Sequence, residues 1–431
     1  MAIFKNLFLY FSIVITIGIT GCHDKMFVEE TLNNPVFMSY EDMRSAVLIS
    51  PPQILQKPGK IYFKDHLIFV NEQLKGIHVI DNKNPENPEF VAFIKIPGNV
   101  DIAVRDDILL ADSYIDLVAI DISNPEDIEE VGRLKGIFPP VFPPINNQYG
   151  INTDELKGES GVVIGWEVEK VLIEIKRNDW WGPYPFPIFN DQLGFREFSS
   201  SKVSSGGGGT TFGIGGSMAR FTLYSDYLYA VDDANLRIIN VIDPAQMFKE
   251  DSLMLTWRGL ETIFQYENKL FFGTQTGMLV YDITDPVNPV KISEFNHIQS
   301  CDPVVVEGDL AYVTLSSGNS CNRGVDRLDI IDLSDITDPQ LLKSYAMTNP
   351  HGLGIDDNTL FICDGADGLE IYNSEDPYDL QLIAHFPGIH AWDVIPVQGL
   401  LLMIGDDGFY QYDYSGPDQI RLISTIPVLA P

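Results

Sequence analysis

Short apolar runs that end in Asp or Asn recur along most of the chain. Each run is about five residues long and lacks the 3.6-residue spacing of apolar positions that is typical of helices, so the pattern indicates strands. Seven copies have this form: IHVID (77–81), LVAID (117–121), LRIIN (236–240), MLVYD (278–282), LDIID (328–332), LEIYN (369–373) and FYQYD (409–413). Their final residues are separated by 40, 119, 42, 50, 41 and 40 positions. A repeat of about 40 residues therefore organises the chain.

A turn signal follows each apolar run. In six copies a proline stands four positions after the final Asp or Asn, at Pro85, Pro125, Pro244, Pro286, Pro377 and Pro417. The fifth copy has Ile336 there and Pro339 further on. Proline cannot donate a hydrogen bond to a strand ladder, and Asx side chains bond to the turn backbone. We therefore expect the third strand of each repeat to end at this point.

Each copy contains four short apolar stretches separated by turn residues. In the second copy they are Val100–Val104, Ile108–Ala111, Leu117–Asp121 and Val131–Leu134. Four antiparallel strands in about 40 residues are typical of a propeller blade. The sequence thus predicts an all-β fold, a seven-bladed β-propeller of four-stranded antiparallel blades, running from Lys60–Pro97 to Ala391–Val428. Ring closure has two alternatives: blade 7 packs on blade 1, or Pro51–Pro58 adds an edge strand.

The spacing of 119 residues marks an insert between the second and third copies, at residues 139–218. It contains a strand-like stretch at Val162–Ile175, the aromatic segment DWWGPYPFP (179–187) and a Gly/Ser linker at Ser204–Ser217. Long loops in compact domains are usually functional or disordered, and the aromatic content favours function. The candidate binding aromatics are Trp180, Trp181, Tyr184 and Phe186. The alternatives are that they seal the channel as core, or that the insert forms an eighth blade.

The first residues have the pattern of an export signal. Lys5 precedes the uncharged apolar run Leu7–Ile19, which is too short for a bilayer-spanning helix of about 20 residues. The following Ile-Thr-Gly-Cys resembles the lipobox of bacterial lipoproteins, which implies a signal peptide at 1–21 and a diacylglycerol on Cys22. A plain secretory signal is the alternative. Residues 22–59 are then a lipidated tether, followed by blades 1–2 (60–138) and, after the insert, blades 3–7 (219–431).

The segments LVAID, LDIID and IHVID resemble the LVIVD-repeat proteins, which include lipoproteins of the Bacteroidetes. The resemblance covers residues 60–428 apart from the insert. It implies a propeller outside the cytoplasm. Together with the lipid anchor, we expect a protein of the cell envelope that is attached to the outer membrane and faces either the periplasm or the exterior. The family has no established shared activity, so the resemblance assigns no catalytic residue.

The net charge excludes two classes of binding partner, and the cysteines suggest one disulfide. Without residues 1–21 the chain has 27 basic and 61 acidic residues, a net charge of −34. Such a surface repels nucleic-acid phosphates and anionic lipid headgroups, so acyl chains must hold the protein to its membrane. In an oxidising envelope Cys301 and Cys321 are candidates for a disulfide, with two separate thiols as the alternative. Cys363 lies in an apolar strand and is expected to be buried.

Polar residues at the starts of the predicted innermost strands form a candidate site at the channel mouth. They are Asp101, Glu261, Asp302, His351 and Asp393, with His297, His390 and Trp392 in the adjoining links. Carboxylates and imidazoles around one axis could bind a divalent cation or a sugar, or perform acid/base chemistry. The alternative is that they cap strand ends in a hydrated channel. No metal-ligand spacing such as His-x-x-x-His occurs, so no cofactor is predicted.

These features favour a membrane-anchored, non-enzymatic module that binds an envelope protein or a glycan through its insert-bearing face, since aromatic anchors dominate interface energetics. The alternative is a propeller hydrolase acting on carbohydrate or lactone through the acids and histidines of the channel mouth. The sequence assigns no ligand, leaflet or oligomeric state.

Overall fold

The computed structural model describes residues 26–124, 127–156, 161–175, 214–257, 259–296, 303–317, 325–416 and 419–429. This part of the chain is all-β and contains several four-stranded antiparallel sheets, as the repeat predicted. Seven sheets, called sheets 1–7 in chain order, each contain four consecutive strands of one repeat, and sheet 1 carries an additional strand on each edge. One further sheet of three strands joins the N-terminal region to the insert.

The elements before the insert begin with β1 (Met26–Ser39), α1 (Tyr40–Ser45) and β2 (Leu48–Ser50). Sheet 1 follows with β3 (Pro58–Lys64), β4 (Leu67–Glu72), β5 (Gly76–Asp81) and β6 (Glu89–Lys95). Sheet 2 contains β7 (Ile102–Arg105), β8 (Ile108–Ser113), β9 (Asp116–Asp121) and β10 (Glu129–Leu134). The insert contributes β11 (Gly150–Ile151), α2 (Thr153–Leu156), β12 (Gly161–Ile175) and β13 (Ile214–Gly215).

The elements after the insert form sheets 3–7. Sheet 3 has β14 (Phe221–Tyr224), β15 (Tyr227–Val231), β16 (Asn235–Asn240), the 3-10 helix Pro244–Gln246 and β17 (Phe248–Met254). Sheet 4 has β18 (Leu260–Tyr266), β19 (Lys269–Thr274), β20 (Gly277–Asp282) and β21 (Val290–Asn296), and sheet 5 has β22 (Val304–Glu307), β23 (Leu310–Leu315), β24 (Arg327–Asp332) and β25 (Gln340–Ala346). Sheet 6 has β26 (Leu353–Asp356), β27 (Thr359–Cys363), β28 (Leu369–Asn373) and β29 (Gln381–Phe386), and sheet 7 has β30 (Ala391–Val397), β31 (Leu400–Gly405), β32 (Gly408–Asp413) and β33 (Arg421–Pro427).

The first three strands of each sheet carry the core. Fully buried runs such as Ile68–Val70 and Leu401–Met403 have 0% exposure, because both faces of these strands pack against neighbouring sheets. Cys363 is also fully buried, as its apolar strand predicted. The fourth strands are mostly exposed, and β25 buries none of its residues. This gradient explains why the inner strands appear in the sequence as continuous apolar runs.

The repeated Asp or Asn performs the predicted turn function in all seven copies. Its side-chain Oδ1 accepts a hydrogen bond from the backbone N–H two residues later, at donor–acceptor distances of 2.8–3.2 Å. This bond closes an Asx turn and ends the third strand.

The carbonyl at the proline position binds the preceding sheet. Tyr229 Oη donates to Pro286 O at 2.7 Å, and Tyr345 Oη donates to Pro377 O at 2.9 Å. In the fifth copy the carbonyl of Ile336 accepts from Ser293 Oγ at 2.6 Å. Because the carbonyl makes the contact, isoleucine can replace proline there without loss of the bond.

Sheets 7 and 1 meet through the same kind of contact. Gln411 Nε2 in sheet 7 donates to Pro85 O in sheet 1 at 3.2 Å, and its amide exchanges two hydrogen bonds with Asn82 at 2.8 and 2.9 Å. Strand β30 also contacts β3. Apolar residues of both sheets, among them Ile61 and Phe409, share one buried cluster with Leu55. The first and last repeats are therefore neighbours in space.

The N-terminal region differs from the tether that the sequence predicted at 22–59. Strand β1 pairs along its whole length with β12 of the insert, from Met26 opposite Ile175 to Ser39 opposite Gly161. Helix α1 follows, with Ser39 as its N-cap, and buries Met43 completely. Non-local pairing with a segment more than 120 residues away gives no local sequence signal, so the pattern of residues 26–39 could not reveal it.

The added edge strand also differs in position from the one that the sequence suggested. Residues 51–57 form no strand, whereas β2 pairs with β6 on one edge of sheet 1 and β13 pairs with β3 on the other. Leu55 instead packs into the cluster shared by sheets 7 and 1, and its carbonyl accepts from Leu429 N at 3.0 Å.

Candidate functional site

Residues 214–220, called the crossing segment, contact five of the seven sheets. β13 pairs with Tyr62 and Phe63 of sheet 1. The remaining contacts are Leu353 N to Ser217 Oγ (3.0 Å, sheet 6), Ile263 N to Ala219 O (3.0 Å, sheet 4), Arg220 N to Asp101 Oδ2 (2.6 Å, beside sheet 2) and Val231 N to Arg220 O (2.9 Å, sheet 3). The end of the insert therefore lies among the first strands, where the sequence predicted a channel.

The composition of the crossing segment explains its position. The sequence predicted that Ser204–Ser217 is a linker, but Gly215, Gly216 and Ser217 are buried, as are Met218 and Ala219. Small side chains let a backbone approach neighbouring strands closely. A Gly/Ser run can thus be core when its backbone groups find partners, and Ser217 is 1% exposed.

Asp101 lies in a buried polar group beside the crossing segment. Its carboxylate forms an ion pair with Lys60 of sheet 1 and accepts from the backbone of Arg220 and Ile102. Burial lowers the pKa of Lys60, which the Asp101 charge opposes. Asp112 is adjacent, and burial raises its pKa to about 7 although three N–H groups donate to its Oδ1. Asp101 therefore has a structural role, because its carboxylate links sheet 1, the start of sheet 2 and the crossing segment.

The structure brings His351, His390 and Trp392 together. The rings of His351 and Trp392 are 4.3 Å apart, those of His390 and Trp392 are 5.0 Å apart, and the two imidazoles are 6.1 Å apart. His390 Nδ1 lies 3.5 Å from Asp406 Oδ2, and Trp392 Nε1 donates to Asp406 Oδ1. His351 is 4% exposed, whereas the side chain of His390 is 35% exposed. This cluster combines an accessible imidazole with a carboxylate and an aromatic wall.

The other predicted residues of the channel mouth do not share those contacts. Glu261 Oε1 accepts from Gln275 Nε2 at 3.1 Å in sheet 4. Asp393 is fully buried in sheet 7, opposite Ile404. Asp302 and His297 lie outside the described residues, as do Cys22, Cys301, Cys321, Trp180, Trp181, Tyr184 and Phe186.

Sequence reasoning missed a second polar cluster in sheet 6. Asp367, Glu370 and His385 each offer a ligand-type atom, and these atoms lie within 4.8 Å of one another. Glu370 and His385 are direct partners in the β28–β29 register, which is the signal that could have found them. Burial raises the pKa of Glu370, to which nearby Asp364 and Asp367 contribute. His385 Nε2 already contacts the carbonyl of Asp367 at 2.7 Å, so local hydrogen bonds account for the imidazole's position.

Strands β1 and β12 form a two-stranded arm whose base and tip differ. At the base, Arg44 binds Asp116 of sheet 2 at 2.8 Å, and Met43 packs with Tyr114. Towards the tip, Phe27 is 53% exposed and Leu172 is 70% exposed. Val28 is also exposed and lies opposite Ile173. The tip therefore presents apolar side chains to solvent.

The described helices have at most six residues, and none of them can span a bilayer.

Comparison with known proteins agrees with the repeat. The family model of the LVIVD repeat matches residues 101–135 and 300–347, so the chain contains LVIVD repeats. No curated protein matches the chain in sequence. The periplasmic gluconolactonase PpgL of Pseudomonas aeruginosa is similar in structure, with a TM-score of 0.53, 8% identity, and 87% of this chain and 97% of that chain covered. BamB of Moraxella catarrhalis has a TM-score of 0.48 and 8% identity, over 90% of this chain and 99% of that one. The likeness to PpgL shows a β-propeller fold and no more.

Proposed function

We propose that this protein is a seven-bladed propeller, anchored in the cell envelope through acyl chains on Cys22, that binds an envelope protein or a glycan without catalysing a reaction. The observation that carries the proposal is the arm. Strand β1 begins four residues after Cys22 and pairs over all of its 14 residues with the insert. The segment that follows the proposed anchor and the insert between the second and third repeats thus form one structural unit.

Closure of seven blades is supported by contacts between the ends of the repeat region. The reciprocal amide bonds of Asn82 and Gln411 join sheets 1 and 7, and the contact with the Pro85 carbonyl has the same form as those between consecutive sheets. In the part of the chain that is described, the insert adds a three-stranded sheet with β1 and no four-stranded sheet of its own. These contacts favour seven blades over eight.

The arm would act as a spacer of defined length. A strand of 14 residues spans about 45 Å at 3.3 Å per residue. Its exposed apolar tip, with Phe27 and Leu172, lies at the end nearest to Cys22 in sequence. An apolar tip next to two or more acyl chains is suited to lie at a bilayer surface, and the base would hold the propeller away from it. The membrane in question is the outer membrane.

Binding has more support than catalysis at the predicted channel mouth. Asp101 is held by Lys60 and by the crossing segment, and Asp393 is fully buried. General acid/base catalysis needs a carboxyl or imidazole within hydrogen-bond reach of a substrate. Among the described residues of the predicted mouth, the hydrolase alternative retains the partly exposed His390 and Glu261 as candidates.

The anchor is tested first. Mass spectrometry of the purified protein should find a lipid-modified Cys22 at its N-terminus, and the protein should fractionate with the outer membrane. A Cys22→Ala variant should lose the lipid and appear in soluble fractions. Unmodified Cys22 in the wild-type protein would contradict the anchor.

Binding is tested with the aromatic segment. A Trp180→Ala, Trp181→Ala double variant leaves β12 and the crossing segment intact, which deletion of the whole insert would not. We expect it to lose at least tenfold in affinity for partners that the wild-type protein captures from envelope extracts or glycan arrays. Trp257→Ala is the matched control, because this residue is 89% exposed in the link between sheets 3 and 4. If the double variant and the control captured their partners equally well, the aromatic segment of the insert would have no role in binding.

A further inference from the structure

A cavity of about 440 Å³ lies between sheets 2 and 3, at the point where the chain leaves for the insert. Three of its lining residues are cationic: Lys135, Arg237 and Lys249. The whole chain has only 28 basic residues against 61 acidic ones. The lining of this cavity is therefore positively charged, in contrast to the strongly negative charge of the whole protein.

The strand register places two of these cations on one face. Lys249 is the register partner of Ile239, and Arg237 lies two positions before Ile239 on β16. Because side chains alternate between the faces of a strand, Arg237 and Lys249 project from the same face of sheet 3. Lys135 comes directly after β10, the outermost strand of sheet 2. The cations thus approach the cavity from both sheets.

The two lysines carry charge that the described residues leave uncompensated. Arg237 is paired with Asp232, and its Nε is buried without a hydrogen-bond partner among the described groups. No carboxylate of the described part of the chain lies within 4.0 Å of Lys135 or Lys249. Lys291 holds the equivalent position in sheet 4 and is paired with Glu294. A solvated lysine next to a second cation favours an anion between them.

The remaining wall of the cavity is apolar and open. Phe138 stacks on Phe221 with ring centroids 5.4 Å apart, which fixes its orientation. Leu134, Ile137 and Pro139 complete this wall. Gly136 has φ +64, and no atom lies within 4 Å of the place where its Cβ would be. The cavity therefore has room for a ligand beside its cations.

We infer that this cavity binds an acidic sugar residue of a glycan, with its carboxylate or sulfate between Lys135 and Lys249 and its ring against Phe138. The inference rests on the glycan-binding part of the proposed function and names the substrate class. A net charge of −33 repels anions at long range, so an anion needs a local group of cations that no described carboxylate neutralises. An apolar wall beside two lysines fits a ring that is apolar on one face and charged at its edge.

Calorimetric titration of the full-length protein in low salt tests the inference. The probes are tetragalacturonate for carboxylated sugars, a chondroitin sulfate tetrasaccharide for sulfated ones, and neutral maltotetraose. At least one acidic probe should bind, maltotetraose should not, and 0.3 M NaCl should weaken the binding because exposed charges are screened. A Lys135→Ala, Lys249→Ala double variant should raise the Kd at least tenfold.

The matched control is Lys291→Ala, which removes a lysine from the equivalent strand position and should leave the Kd within twofold of wild type. Failure of both acidic probes to bind, or equal binding by the double variant, overturns the inference. Equal binding of maltotetraose overturns it as well. The Trp180→Ala, Trp181→Ala variant separates the two proposals: if it binds acidic probes normally but captures no envelope partner, both stand as independent sites. If the Lys135→Ala, Lys249→Ala variant captures every partner normally, the cavity has no part in the proposed function.

Discussion

The strands of sheets 1–7 and the strands of the arm bury different kinds of surface. In sheet 6, β28 buries Leu369 and Ile371 completely, and in sheet 5, β24 buries Leu328, Ile330 and Ile331 completely. In the arm, β1 exposes Phe27 and Val28, and among its side chains from Phe27 to Ser39 it buries only Leu32 and Asn33. Both regions are antiparallel strands, so the difference lies in what covers their faces.

Buried polar contacts are more prominent in the arm than between the sheets. Asn33 is fully buried, and its Nδ2 lies within hydrogen-bond distance of the backbone carbonyls of Asn146, Tyr149 and Gly150, at 3.0, 2.8 and 3.3 Å. The arm is also fixed at its base by the pair Arg44–Asp116. Between sheets, apolar packing covers most of the contact. The repeats are therefore held mainly by apolar burial that recurs in every copy, whereas the arm is held by one strand ladder, a small apolar cluster at its base and a few directional side-chain bonds.

The largest effect is expected where the first and last repeats pack together. Phe409 is fully buried in the cluster shared by sheets 7 and 1. Phe409→Ala should lower the free energy of unfolding by about 3–5 kcal/mol, because it removes apolar contacts and leaves a cavity. Denaturant unfolding measures the loss. Leu422→Ala, in the same sheet but 47% exposed, should change stability by less than about 0.5 kcal/mol. Similar losses in both variants would mean that burial does not hold this junction.

A pH-dependent effect is expected where the polar group beside the crossing segment meets sheet 2. Burial raises the pKa of Asp112 to about 7 from 3.8. Between these values the folded protein binds a proton that the unfolded chain has released, so this residue's contribution to stability falls as pH rises. The contribution is complete below about pH 4 and is lost above about pH 7.

Asp112→Asn removes this titration and keeps an oxygen to accept from Val100 and Asp101. Relative to wild type, the stability of the variant should therefore rise by about 2.7 kcal/mol between pH 5 and pH 7, which is two pH units at about 1.36 kcal/mol each, and should stay nearly constant above pH 7. Denaturant midpoints of both proteins across this range measure the difference. A difference that is constant with pH would show that Asp112 does not titrate in this window.

Much of the fold could be predicted because each repeat carries its structural signals within a short stretch of sequence. The five-residue apolar runs, the Asx turns and the 40-residue period all depend on neighbours in sequence, and β9 (Asp116–Asp121) matches the predicted Leu117–Asp121 within one residue. Strand β12 likewise agrees with the stretch Val162–Ile175. The pairing of β12 with β1 could not be predicted, because single-copy, non-local pairing leaves no period.

The candidate site was less predictable for a related reason. His351, His390 and Trp392 were singled out by their place at strand starts, and they do lie together. Asp101 was singled out by the same rule, but its partners Lys60 and Arg220 come from distant segments. The linker composition of residues 214–217 concealed a buried segment, since a Gly/Ser pattern is the same whether its backbone faces water or other strands.

The smallest global effect is expected in the arm. Asn33→Ala removes the donor that three partly buried carbonyls share, which should cost about 1 kcal/mol locally. Because the sheets do not depend on the arm, global unfolding should shift little, while hydrogen exchange of residues 26–39 should become faster. Asn34→Ala is the control, since Asn34 is the next residue of the same strand but donates to the exposed Glu169 and accepts from Asn152 instead of bonding to these carbonyls. If Asn33→Ala lowered global stability as much as Phe409→Ala, the arm would have to unfold together with the sheets, and the distinction between the two regions would fail.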